Sequence, residues 1–240
     1  MPDYGGAGHL PNNRPDKLPA DPGDLPRQRR GTTPQMHGRY PDYDVLSEQG
    51  HWDEATRKVV LERVHDVPPI RFLSADEVPT ARAFLDTVLA QDAEPRIPVL
   101  EMVDAKLHAR KFDGYRYAGM PDDAQTFRIV LRGLDEAAGR PFSHATAQER
   151  LDICSAFSNG ELTGGAWEEV DPKTAWKVCM RLAMSQFYSH PWAWNEIGFG
   201  GPAYPRGYAR LGIGMSETWE GEPAYDRDPV RDVSERDVDR

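Results

Sequence analysis

Ser74-Ala75-Asp76-Glu77 and Thr146-Ala147-Gln148-Glu149 share one pattern: a hydroxyl residue, then a glutamate three positions on. In such a capping box the hydroxyl takes an N–H of the first helical turn. The glutamate reaches back to the N–H of the cap residue, so each stretch starts a helix. Behind each box the chain is apolar at helical intervals. Val78, Ala81, Leu85, Val88 and Leu89 share a face after the first, with Pro79 in the first turn, where its missing N–H costs little. Leu151, Ile153, Cys154 and Phe157 come after the second. Asp171-Pro172 is a third start, with Asp at the cap and Pro at the first helical position. Its helix runs through Trp176, Cys179, Met180, Ala183 and Phe187 to about Ser189, and Pro191 stops it. Asp53, Pro98 and Pro121-Asp122 open three more. These carry Val59, Val60 and Val64; then Val99, Met102, Val103 and Leu107; then Phe127, Val130, Leu131 and Leu134, ended by Gly139. No stretch alternates with the period of a half-buried strand. The pattern predicts an all-α fold, a helical bundle of about six helices from roughly His51 to His190.

The chain ends read differently. Prolines recur at 2, 11, 15, 19, 22, 26, 34 and 41 with no apolar period between them, which disfavours helices and inner strands up to about Gly50. This is a long irregular N-terminal arm, with Tyr40, Tyr43, Val45 and Leu46 as its candidate anchors. Trp192 to Gly214 is rich in Gly, Pro and aromatics and too irregular for either period. Beyond Glu217 the chain is acidic with interspersed arginines and reads as frayed. The expected organisation is residues 1–50 as arm, 51–215 as helical domain and 216–240 as acidic tail.

Several kinds of chemistry find no support. A net charge of -10 argues against nucleic-acid and anionic-membrane partners, which need a basic surface. No run approaches the ~20 apolar residues of a membrane span. The residues after Arg27, Arg29 and Arg30 are polar, so the chain reads as cytoplasmic, without a secretory or twin-arginine signal. Two cysteines, Cys154 and Cys179, are too few for a disulfide scaffold or an all-cysteine metal site, and both lie on apolar helical faces, as small buried hydrophobes do. The histidines make no metal-binding pair, and no metal site is expected. Gly198-Phe199-Gly200-Gly201 lacks the spacing and flanks of a dinucleotide loop, so no cofactor site is expected either. There is no G-x-S-x-G elbow. No catalytic residue stands out; the alternative is a helical enzyme using His190 and Glu196 as an acid–base pair beside a rigid turn.

The informative segment is Tyr188 to Tyr208. It sets rigid aromatics among Gly and Pro, which builds a defined loop. Two readings stand: a strap over the bundle, or a recognition surface, since Trp, Tyr and Arg dominate interface hot spots. The order of motifs decides more than the composition. A helical bundle is succeeded by Phe187-Tyr188-Ser189-His190-Pro191, then Trp194-Asn195-Glu196-Ile197-Gly198-Phe199-Gly200-Gly201-Pro202, then Tyr204-Pro205-Arg206-Gly207-Tyr208. With Arg71-Phe72-Leu73-Ser74 and Glu77 ahead of the first core helix, and the Phe142 to Leu151 stretch, this resembles the gluconate 2-dehydrogenase subunit 3 family over about Phe72 to Leu211.

The resemblance implies a small, flavin-free subunit of a large flavoprotein of the glucose–methanol–choline type. That partner holds FAD and oxidises a sugar, sugar acid or alcohol, and the small subunit supports its folding, stability or export. Whether a cytochrome c subunit joins them stays open. Many relatives carry a twin-arginine signal, and this chain departs from them there. On this reading Trp192, Trp194, Asn195, Phe199, Tyr204, Arg206 and Tyr208 line or brace the contact with the flavoprotein. An assembly chaperone that dissociates after maturation would use the same surfaces.

Overall fold

The computed structural model describes residues 40, 43–91, 96–210, 212 and 215–221. Among them are seven α-helices, three short 3-10 helices and no strand. The α-helices are α1 (Glu54–His65), α2 (Glu77–Val88), α3 (Val99–His108), α4 (Asp123–Ala138), α5 (Ala147–Asn159), α6 (Pro172–Phe187) and α7 (Pro191–Ile197). The 3-10 helices are Val45–His51, Phe142–His144 and Gly165–Glu168. The chain divides into two compact units, Asp66–Tyr188 and a second formed by both chain ends.

In the Asp66–Tyr188 unit the helix starts obey the local chemistry. Thr146 and Glu149 close both bonds of their capping box, the Thr146 N–H donating to Glu149 Oε2 at 2.7 Å. Ser74 and Glu77 exchange the same pair of bonds, although regular α2 begins only at Glu77. Asp122 accepts from the Gln125 N–H and Asp171 from the Thr174 N–H, each at 2.8 Å. Gly139 and Gly160 end α4 and α5 in the left-handed region, where a side chain would be strained.

The core of this unit is aromatic. The Phe157 ring lies 4.8 Å from Trp167, 5.2 Å from Trp176 and 6.2 Å from Phe84, centroid to centroid. Around them Phe127, Val130, Leu131, Leu134, Cys179 and Leu182 are buried. Both cysteines are free and buried, and burial pushes the Cys154 thiol up to about 12 and the Cys179 thiol higher still, so neither is a ready nucleophile. Gly133 lets α4 meet the Gly165–Glu168 turn, since a Cβ there would sit 2.6 Å from the Trp167 ring. Two carboxylates, buried Asp104 and half-buried Asp135, join distant segments. Asp104 of α3 accepts the N–H groups of Arg71, Phe72 and Leu73, and Asp135 of α4 takes the Thr80 hydroxyl and the Phe142 N–H.

Some local expectations fail. The segment after His190 contains a helix, α7, where the composition suggested neither period. The Val45–His51 turn lies inside the stretch read as helix-free arm. Leu151 and Val59, named among the apolar positions of their helices, are 51% and 48% exposed. In both helices an apolar residue stands one position off the buried stripe, and burial keeps to the stripe. The lack of regular structure expected from Met1 to Tyr40 concerns, except at Tyr40, positions outside the described residues. No described helix is long and apolar enough to cross a membrane.

Candidate functional site

The Gly-, Pro- and aromatic-rich segment belongs to the unit built from the chain ends, and α7 is its centre. Pro191 sits at the first helical position, and His190 caps the helix by accepting the Trp192 N–H on Nδ1 at 3.1 Å. Seven residues on, Gly198 ends α7 with φ 68°. A Cβ at Gly198 would also lie 2.5 Å from the Tyr40 ring, so this glycine is required twice over.

The buried face of α7 holds the start of the described chain. Trp194 packs into a cluster with Val45, Trp52 and Val60, flanked by Tyr43, Leu46 and Phe199. Phe199 meets the Trp194 ring edge-on at 5.7 Å. Asn195 uses both ends of its amide: Oδ1 accepts the Val45 N–H at 2.7 Å and Nδ2 donates to Asp44 Oδ1 at 3.2 Å. Asp44 in turn caps the Val45–His51 turn through the Leu46 N–H. An asparagine can do this because it carries a donor and an acceptor side by side.

Beyond α7 the chain is fixed by Arg206 and by residues nearer its end. Arg206 donates to Glu48 Oε2 at 2.9 Å and to the Gly200 and Pro202 carbonyls at 3.0 and 3.3 Å, and its guanidinium lies 4.2 Å from the centroid of the Trp219 ring. Gly200 is needed beneath, since a Cβ there would come 2.2 Å from Trp219. The Tyr43 hydroxyl donates to the Trp219 carbonyl at 2.8 Å. Burial, with the Glu48 charge adding to it, holds its phenol well above the usual tyrosine range. Buried Glu217 accepts the Ala209 and Arg210 N–H groups at 2.5 and 2.6 Å.

The seven residues singled out from the sequence therefore sort by depth. Trp194 and Asn195 are buried, Arg206 is nearly so, and Phe199 and Trp192 are half-buried. All five make internal contacts, Trp192 meeting the His190 ring edge-on at 5.2 Å. Tyr204 and Tyr208 stand outside at 66% and 54% exposed, with Ile197 and Met215 also in solvent. Recognition from the sequence missed Asp44, Glu48, Trp52, Glu217 and Trp219. The signal for the last was a tryptophan in a stretch otherwise read as frayed.

His190 and Glu196 do not form an exposed pair. Both are buried, at 1% and 4%. The His190 ring bonds the Trp192 N–H and the Arg63 backbone, and its pKa falls to about 4, mainly through burial. Arg63 lies alongside, donating to the Ser189 carbonyl at 2.8 Å. An imidazole so enclosed is a neutral structural group at neutral pH rather than a base open to a substrate. Among the described residues no group of three or more His, Cys, Asp or Glu side chains is placed to hold a metal ion.

A family model described as Gluconate 2-dehydrogenase subunit 3 matches residues 75–201, more than half of the chain and a span running from α2 through α7. No curated protein and no solved structure matched the chain.

Proposed function

The chain belongs to the gluconate 2-dehydrogenase subunit 3 family, a subunit of a multi-subunit dehydrogenase, and on that premise we propose that it is the small, non-catalytic partner of a large flavoprotein. That partner, of the glucose–methanol–choline type, holds the FAD and oxidises a sugar, sugar acid or alcohol. The present chain stabilises or matures it and contributes no reacting group.

The observation that carries this reading is the division of labour within the aromatic segment. Trp194, Asn195 and Arg206 direct their bonds inward and fix the loop, while Tyr204 and Tyr208 face solvent on it. Tyrosine buries a large area with few rotatable bonds, so a fixed loop bearing two of them loses little entropy on binding. His190 and Glu196 are enclosed, which favours the subunit role over catalysis by this chain alone.

Co-expression with a glucose–methanol–choline type flavoprotein from the same organism tests the proposal. One co-purifying, flavin-loaded complex is the expected result, and separate elution of two stable proteins would contradict it. Stoichiometric retention of this chain in the mature enzyme distinguishes a subunit from a chaperone that leaves.

A further inference from the structure

Between α3 and α4 of the Asp66–Tyr188 unit runs Lys111-Phe112-Asp113-Gly114-Tyr115-Arg116-Tyr117, a mostly exposed loop with a foundation beneath it. Arg181 of α6 donates from Nη2 to both carboxylate oxygens of buried Asp123, at 2.7 and 2.8 Å. Its Nε lies 3.2 Å from Asp113 Oδ2, and its guanidinium lies 4.5 Å from the centroid of the Tyr115 ring. Lys106 Nζ holds the other Asp113 oxygen at 2.9 Å. Tyr115 meets Tyr117 edge-on at 5.9 Å, and Arg110 enters the loop at φ 51°, a conformation side chains rarely adopt. Withdrawing a guanidinium and a carboxylate from water is unfavourable, and joining two helices does not require it. Here the network fixes an exposed tip in one shape, which lowers the cost of ordering it on a partner.

The tip is also of the wrong charge for its chain. Lys106, Arg110, Lys111, Arg116 and Arg181 outnumber Asp113, Asp122 and Asp123 there, although the whole chain carries -10. Among the described residues Lys111 and Arg116 have no ion-pair partner. Arg and Tyr are the residue types most often found as interface anchors.

We infer that this loop is a second docking surface of the chain, and that its occupant is an acidic surface of the flavoprotein subunit. The inference rests on the subunit reading above. Opposite charge at such a rim acts mainly through long-range attraction, so the contact is sensitive to salt.

The test is the affinity of the full chain for the flavoprotein with which it co-purifies, at about 50 and about 300 mM salt. The variants are Lys111→Glu/Arg116→Glu and, as a control of equal charge change on α6, Lys173→Glu/Lys177→Glu. The loop variant is expected to bind about tenfold more weakly at low salt and to lose most of the wild-type salt dependence, while the control binds as wild type. Wild-type affinity and salt dependence in the loop variant would overturn the inference. Equal weakening by the control would do so too, as would low-salt self-association of the isolated chain that only the loop variant abolishes, since that assigns the loop to a second copy. These results leave the subunit reading standing. A wild-type chain that binds no flavoprotein at all overturns both.

Discussion

Asn195 Oδ1 accepts the Val45 N–H at 2.7 Å across 150 positions of sequence, and this bond ties the start of the described chain to its closing motif. Val45 is fully buried, so its N–H has no water to turn to. Asn195→Ala should therefore cost about 1–3 kcal/mol, the usual penalty for stranding a buried donor. Amide exchange locates the loss: the Val45–His51 turn should lose protection while α4 keeps its own. Unchanged protection at Val45 would mean the bond does not hold the turn.

Gly133→Ala sets two effects against each other. In a helix interior Ala is favoured over Gly by about 1 kcal/mol. The new methyl, however, would lie 2.6 Å from the Trp167 ring, which is buried and packed at a tilt against Phe157 and cannot swing clear. Overpacking of this kind costs about 1–3 kcal/mol, so the net change should be a lower Tm. A variant that melts higher than wild type would show that α4 and the Gly165–Glu168 turn have room to separate.

Most of the helical unit was legible in the sequence because its signals are local. Thr146, Asp122 and Asp171 each bond a group three residues away, so a short window contains both partners. Leu131, expected in the core, is 2% exposed. Asp104 and Asp135 gave no such signal. Their partners lie 31 to 33 and 7 to 55 positions away, and a carboxylate in a helix reads by default as solvent-facing. The same distance hid the role of the aromatic segment. Trp194 and Asn195 looked alike as anchor and as fastener until the packing of Val45 and Trp52 against them separated the two roles. Local composition marked the segment as structured, and only tertiary contact shows which side chains point inward.

His190 carries a pH dependence whose sign is set by its burial. Its pKa in the folded chain is about 4, against ~6.5 for an exposed imidazole. As pH falls, the unfolded chain takes up this proton first. The stabilisation tied to neutral His190 is thus complete above about pH 6.5 and is lost as pH falls towards 4. His190→Asn, which keeps an acceptor for the Trp192 N–H but does not titrate, should flatten the stability profile across that interval. An NMR titration placing His190 near its ordinary value would refute this account of the cap.

The outward pair of the aromatic segment gives the sharpest test of the subunit reading. Tyr204→Ala/Tyr208→Ala removes the two most exposed rings of that loop and leaves Trp194, Asn195 and Arg206 untouched. The measurement is the affinity of this variant for the flavoprotein subunit, taken with its Tm. We predict binding weaker by about 2 kcal/mol or more, the threshold for a hot spot, at an unchanged Tm. Wild-type affinity at an unchanged Tm would contradict that reading of the loop, because the segment would then serve only to fasten the chain to itself.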